Sequence, residues 1–206
     1  MPLYDVYEMN LFKGRNKDRE LYGERLPPGQ KLTEGWPVLH YGSIPRIETA
    51  DWKLEIGGLV EEPVTFTWDQ FQALPKMSEF NDIHCVTTWS KFDNTWEGVS
   101  VEEVMKHVKL KPEATAVMLH AYGGYTTNLL LTDFLRPENL FATHHNGDAL
   151  TREHGWPVRL VVPHLYFWKS CKWVRGLQFM DKDQPGFWEM YGYHLRGDPF
   201  KEERYS

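Results

Sequence analysis

The sequence is poor in cysteine and has no long apolar run. Two cysteines, Cys85 and Cys171, stand in 206 residues, too few for a disulfide-stapled scaffold, although the residues alone leave one bridge between them open. No stretch approaches the roughly 18 consecutive apolar residues of a membrane span. The start, Met1-Pro2-Leu3-Tyr4-Asp5, has neither a basic-then-apolar leader nor a twin-arginine signal, so the expectation is a cytoplasmic protein with reduced thiols. Positive charge is outnumbered, with 23 Lys and Arg against 29 Asp and Glu. A formal net charge of −6 argues against a nucleic-acid binder, which needs a basic footprint to neutralise phosphates. Gly-rich phosphate loops are missing, which weakens a nicotinamide or ATP reading. The nine histidines, with His144, His145 and His154 as examples, raise a zinc hypothesis. It stays weak without Cys-x-x-Cys or His-Glu-x-x-His spacing. No Gly-x-Ser-x-Gly elbow supports a serine hydrolase.

What is abundant is core material. Hydrophobic residues make up 41% and aromatics 15% of the chain, with nine tryptophans, enough for one domain with a rigid aromatic interior. Residues 1–35 are polar and charge-mixed and carry a Pro27-Pro28-Gly29 breaker, so they read as an arm laid over a domain spanning 36–206. Trp52 to Ile56 alternates and meets Gly57-Gly58, a strand into a turn. Val64 to Thr67 is a second short strand. Thr67-Trp68-Asp69-Gln70 and Ser100-Val101-Glu102-Glu103 read as capping boxes opening short helices. Ala116–His120 and Tyr125–Leu131 flank Gly123-Gly124 as a hairpin, and Thr132 to Leu135 starts a further helix. Phe141–His144, the apolar run Val158–Val162 and Trp173–Met180 complete the strands. Strands outnumber helices without alternating regularly with them, which predicts an α+β fold with mixed sheets in a single domain.

Two stretches carry chemistry. In Asp82-Ile83-His84-Cys85-Val86-Thr87-Thr88-Trp89-Ser90, Cys85 ends an apolar/polar alternation at a strand-to-loop junction, where a scaffold presents reactive groups. In Glu153-His154-Gly155-Trp156-Pro157-Val158-Arg159, followed by Lys169-Ser170-Cys171-Lys172-Trp173, cations surround a strand. Arg159 offers a planar fork suited to phosphate, and Lys169 and Lys172 offer point charges.

Together these stretches resemble the molybdenum-cofactor domain of the sulfite oxidase family, including its bacterial methionine-sulfoxide-reducing branch, which Cys-Val-x-x-Trp-Ser matches closely. The C-terminal run from Phe187 to Pro199 resembles the tail of a small bacterial subgroup of sulfite oxidase-like oxidoreductases. The resemblance implies a mononuclear molybdenum held by molybdopterin, with Cys85 as the metal's protein ligand. It places His154 on the pterin, and Arg159, Ser170, Cys171 and Lys172 on its phosphate, Ser170 and Cys171 largely through backbone. Cys171 is then no metal ligand. By looser matches it places His40 and Tyr41, near the domain start, and His120, thirty-five residues beyond Cys85, on the cofactor. The implied reaction is oxygen-atom transfer on a sulfoxide, another oxide or sulfite, with electrons exchanged with a separate redox protein, since no haem-attachment motif is present. The sulfite-oxidising branch has arginines soon after its cysteine. Here Thr87, Thr88, Trp89 and Ser90 stand instead, which favours a neutral oxide. A metal-free binding module that keeps the fold is the competing expectation.

Overall fold

The computed structural model describes residues 20–206. In chain order its strands are β1 (Lys31–Leu32), β2 (Lys53–Gly58), β3 (Val64–Thr67), β4 (Met77–His84), β5 (Trp89–Ser100), β6 (Ala116–Ala121), β7 (Thr126–Leu130), β8 (Leu140–His145), β9 (Asp148–Ala149), β10 (Arg159–Val161) and β11 (Val174–Met180). The α-helices are short: α1 (Trp68–Gln72), α2 (Val101–Met105), α3 (Leu131–Phe134) and α4 (Phe187–Met190).

The strands form two mixed sheets. In the first, β5 is the spine, with β4 and β8 antiparallel to it, β1 parallel, β10 beyond β8, and β9 a short return on β8. The second runs β3-β2-β11-β6-β7, and only its β2–β11 pair is parallel. Alternation explains the packing. Leu54 and Ile56 of β2, Val117 and Leu119 of β6 and Leu177 and Phe179 of β11 point inward, where they meet Val99, Phe141 and Leu160 of the first sheet, and Val158 just before β10, in one apolar core. The architecture is the expected α+β single domain.

Local chemistry sets the element ends. At α1 the capping box is reciprocal, with Gln70 N donating to Thr67 Oγ1 and Thr67 N to Gln70 Oε1. At α2, Ser100 Oγ accepts from Glu103 N at 2.9 Å, satisfying one otherwise orphaned amide. The twelve-residue β5 is longer than its sequence suggests, for two reasons. Asp93, with φ 58°, interrupts its alternation, and Gly98 reads as a breaker. That glycine is instead a requirement of close approach, because a Cβ there would lie 2.1 Å from Phe141 O on β8.

Residues 20–35, the described part of the N-terminal arm, are not confined to the surface. Leu26 and Gln30 are buried, Lys31 and Leu32 pair with Trp89 and Ser90, and Arg25 bridges Asp82 and Asp93. Residues 1–19 of that arm lie outside the described residues.

Candidate active site

Cys85 is the first residue after β4, in the tight turn that leads to β5. The turn is closed by Cys85 N donating to Trp89 O (2.8 Å) and Thr88 N to Cys85 O (3.0 Å). Thr88 sits at φ 74°, a left-handed conformation that costs a β-branched residue about 1–2 kcal/mol. Neighbouring segments hold it there. Lys31 N donates to Thr88 O at 2.9 Å, Gln30 Nε2 to Cys85 O at 2.9 Å, and Arg204 Nη1 to Val86 O at 2.7 Å. Thus the chain before and the chain long after this turn both grip its carbonyls. Cys85 is 8% exposed, its Sγ lies 3.1 Å from Thr87 Oγ1, and burial pushes the thiol pKa up. Both cysteines are free.

Arg159 opens β10 and is buried, 2% exposed. Its Nη1 donates to His154 O (2.9 Å) and its Nη2 to Ser170 O (3.0 Å), while its Nε has no partner. The guanidinium lies 4.2 Å from the Phe167 ring centroid and 5.3 Å from that of Trp36. Among the described residues no carboxylate pairs with it, and burial depresses its pKa to about 9. An unpaired buried cation is costly unless an anion completes it. Gly155, at φ 111°, lets the loop before β10 fold against it, since a Cβ there would sit 3.0 Å from Arg159 Cβ.

His154 stacks on Trp36, centroids 3.8 Å apart, and burial and the nearby Arg159 lower its pKa. Lys172 donates to Leu39 O (2.7 Å) and Glu153 O (2.8 Å). Burial, then Arg159, brings its pKa down to about 7. Ser170 Oγ accepts from Val162 N at 2.9 Å, so this hydroxyl braces the end of β10.

These residues face one cavity of about 360 Å³. Cys85, His154, Arg159, Ser170 and Lys172 all line it, together with His40 and Tyr41 from the chain before β2. His40 is exposed and its Nδ1 lies 2.9 Å from Gly42 O; Tyr41 packs on Phe187. The fold does not bring His120 here. On β6 its neighbours Leu119 and Ala121 point into the core, so His120 faces the opposite side, where it contacts Gln178 at 3.1 Å and lines a separate open groove. Cys171 is fully buried in the main core, and its thiol does not line the cavity. Lys169 is neither a cavity cation nor solvated. It is completely buried, with Nζ 2.6 Å from Glu189 Oε1 and 2.8 Å from Asn128 Oδ1.

The cavity also has walls that motif reading missed. Trp89, Trp168, Trp188 and Tyr193 pack around Cys85, and Trp36 and Phe167 stand beside Arg159. Trp168 is fixed by its Nε1, which donates to Glu189 Oε1 at 2.7 Å, and by Tyr166 stacked on it at 5.4 Å. The rich aromatic content of the Trp-Ser and Phe-Trp stretches was the available signal. Of the tail residues, His194 Nδ1 accepts from Arg196 N and Arg196 pairs with Asp133, so both brace the tail.

The donor set can be tested against an anionic, acceptor-rich group carrying a soft metal. The orphaned Arg159 Nε and Trp89 Nε1 are donors awaiting acceptors, Lys172 adds a second cation, and Cys85 offers a soft sulfur on the same cavity. The residues fit such a group.

Comparison with known proteins gives the same direction. Residues 41–188 match the family described as oxidoreductase molybdopterin binding domain. The oxidoreductase YuiH of Bacillus subtilis is 47% identical over 197 residues, covering 95% of this chain and 99% of that protein. The protein-methionine-sulfoxide reductase catalytic subunit MsrP of Gluconobacter oxydans is 29% identical, over 72% of this chain but 54% of its own length. Among solved structures, the sulfane dehydrogenase SoxCD of Paracoccus pantotrophus shares the fold, with a TM-score of 0.64 at 24% identity over 69% of this chain and 41% of that one.

Proposed function

Because the chain belongs to the family of oxidoreductases with a molybdopterin-binding domain, we propose that it transfers an oxygen atom between molybdenum ligated by Cys85 and a small neutral sulfoxide or related oxide. Family membership makes it an enzyme with molybdopterin as cofactor. The metal ligand, the substrate and the electron partner are the proposal. The observation that carries it is a single cavity holding a soft thiol at one set of walls and an unpaired buried guanidinium at another.

The bound cofactor supplies two-electron oxygen-atom transfer, and the protein binds, aims and shields it. Cys85 would provide sulfur to the metal, and Gln30 and Arg204 hold its turn in place. Arg159 and Lys172 would offer donors to the cofactor's phosphate, Ser170 braces the strand beside them, and His154, stacked on Trp36, would hold the pterin. His40 and Tyr41 close the same cavity from the chain before β2. Removing one oxygen from a sulfoxide consumes two electrons and two protons and yields a sulfide and water. The electrons are taken from a separate redox protein. A reducing cytoplasm suits its two free thiols.

The neutral substrate follows from the walls around Cys85. Cys85 sits in an apolar cluster with Val86, Tyr166 and Trp168, against which Trp89, Trp188 and Tyr193 pack, and the cation that acts on its thiol is Arg204. The guanidinium of Arg204 is committed to Val86 O and Pro28 O. An oxyanion such as sulfite would bring a full charge into an aromatic space without a fork to receive it, whereas a neutral sulfoxide brings none and needs only a donor for its oxygen.

The test is metal and pterin analysis of the purified holoprotein, followed by turnover of methyl phenyl sulfoxide with reduced viologen and of sulfite with ferricyanide. Sulfoxide turnover above sulfite turnover is expected. Rapid sulfite oxidation without sulfoxide reduction would overturn the substrate, and an unchanged metal absorption spectrum with full activity in Cys85→Ser would overturn the ligand.

A further inference from the structure

Trp168 lines the cavity and belongs to the apolar cluster of Cys85, and three sides of its indole are blocked. Tyr166 stacks on one face at 5.4 Å and 17°. At the six-membered ring the turn of Gly197 presses so close that a Cβ there would lie 2.7 Å from Trp168 Cη2. That turn is itself held, since Tyr166 N donates to Gly197 O at 2.7 Å. The five-membered ring is tied down by Nε1, which donates to Glu189 Oε1 at 2.7 Å. The indole therefore has no room to retreat from the cavity.

The anchor of that indole is a charge without access to water. The side chains of Glu189, on α4, and Lys169, next to Trp168 in the chain, are both fully buried. Glu189 Oε1 accepts from Lys169 Nζ (2.6 Å), Trp168 Nε1 and Thr127 Oγ1 (3.3 Å), while its Oε2 has no partner. Lys169 Nζ also donates to Asn128 O and Oδ1 on β7 and to Leu195 O on the returning tail. One ion pair thus joins three segments, and the indole hangs from its anionic member. Such a pair adds little to stability over apolar side chains of similar volume. What it adds is direction, because charge-assisted bonds are short and fix where the acceptor lies. Direction matters in a small space. The cavity of about 360 Å³ is at the low end of ligand sites, roughly 300–1,000 Å³, and it must receive cofactor and substrate together.

We infer that the Lys169–Glu189 pair is a positioning device that fixes Trp168 as a size-selective wall, excluding sulfoxides whose apolar substituent needs the space of its indole. This rests on the activity proposed above and narrows the substrate class that can enter. Glu189 and Lys169 touch neither substrate nor cofactor; they act through the indole.

The test compares methyl phenyl sulfoxide with methyl 2-naphthyl sulfoxide, which differ by one fused ring. Affinity for each is measured by calorimetry on oxidised holoprotein, where nothing turns over, and kcat/KM is followed with reduced viologen, both per molybdenum. Wild type should favour the phenyl compound in both. The double variant Lys169→Met/Glu189→Met removes both charges and the acceptor of the indole, and is expected to shift the phenyl-to-naphthyl ratio by about tenfold toward naphthyl, the effect of one lost hydrogen bond. Glu189→Gln is the rescue, because its amide oxygen can still accept from the indole N–H and the ammonium, and it should restore the wild-type ratio. Gly197→Ala presses the indole into the cavity and should shift the ratio the other way; it decides alone if the double variant does not fold. Equal loss for the two sulfoxides would make the pair purely structural and overturn the inference. If the affinity ratio moves as expected without turnover, the activity falls and the wall stands. If both sulfoxides turn over and no variant moves the ratio, the wall falls and the activity stands. Wild type that binds neither overturns both.

Discussion

Gln30 Nε2 donates to the backbone carbonyl of Cys85 at 2.9 Å across 55 residues of sequence. The amide is buried, and its Oε1 has no partner, so the side chain is committed to the turn that presents the thiol. Replacing Gln30 by Ala leaves a buried carbonyl with one donor fewer and is expected to cost about 1–2 kcal/mol. The turn also gains freedom. Alkylation of Cys85 by iodoacetamide in cofactor-free protein should accelerate in Gln30→Ala while that of Cys171 does not. An unchanged Cys85 rate would remove Gln30 from any role in positioning the thiol.

The two cysteines are predicted to respond oppositely to substitution. Cys85 lines the cavity and Cys171 is enclosed in the core. Cys85→Ala should abolish activity and lower molybdenum content while the thermal midpoint in cofactor-free protein stays near that of wild type. Cys171→Ala removes one buried sulfur and should lower stability by about 1 kcal/mol with metal content kept. Elemental analysis beside a melting curve decides the matter, and reversed behaviour would transfer the ligand role to Cys171.

Arg159 separates the cost of folding from the benefit of binding. Its guanidinium is buried without a carboxylate, and its Nε is unpaired. Arg159→Met removes that burden along with two hydrogen bonds to carbonyls. In cofactor-free protein the change in stability should stay within about 1 kcal/mol. Cofactor retention should fall by roughly tenfold to a hundredfold, the effect of a charge-assisted bond to phosphate. Pterin released from equal amounts of protein measures the second quantity. Wild-type retention would show that the guanidinium serves the fold alone.

These residues also show what the sequence could disclose. The β2 alternation and the Thr67 capping box are local chemistry, and the structure repeats them. The same is true of the junction of strand and loop at Cys85. By contrast, β5 was hidden by Asp93, whose φ reverses the pleat, and by Gly98, which is required by the carbonyl of Phe141 on β8. Lys169 resembled a cavity cation because its partner, Glu189, lies twenty residues further along and is brought to it only by tertiary packing. His120 was misplaced despite a usable signal, since alternation along β6 points it away from Leu119 and Ala121. Gln30 and Arg204 act on backbone carbonyls, and such contacts leave no pattern in side-chain identity. The tail aromatics were legible as aromatics; that Trp188 and Tyr193 wall the cavity depends on how the chain returns.

That return is anchored by Asp133, whose carboxylate accepts from Arg196 Nε (2.9 Å) and Nη2 (3.0 Å) and lies 3.1 Å from His164 Nε2. Although burial opposes the charged form, the bonds from His164 and Arg196 hold the Asp133 carboxyl well below the usual carboxylate range. The folded protein therefore keeps this group ionised at a pH where the unfolded chain, with a carboxyl near about 3.9, has taken up a proton. The stabilisation is complete above the unfolded value and is lost as pH falls through it toward the folded one. Asp133→Asn should cost about 2 kcal/mol near neutral pH, less than a fully buried pair because Arg196 is partly exposed, and should flatten the fall in stability below about pH 5. Denaturant melts of wild type and variant from neutral to acid pH measure both. Since Arg196 ties down the segment that carries Tyr193, the variant should also weaken methyl phenyl sulfoxide binding. Parallel acid profiles for the two proteins would mean that other carboxylates govern acid stability.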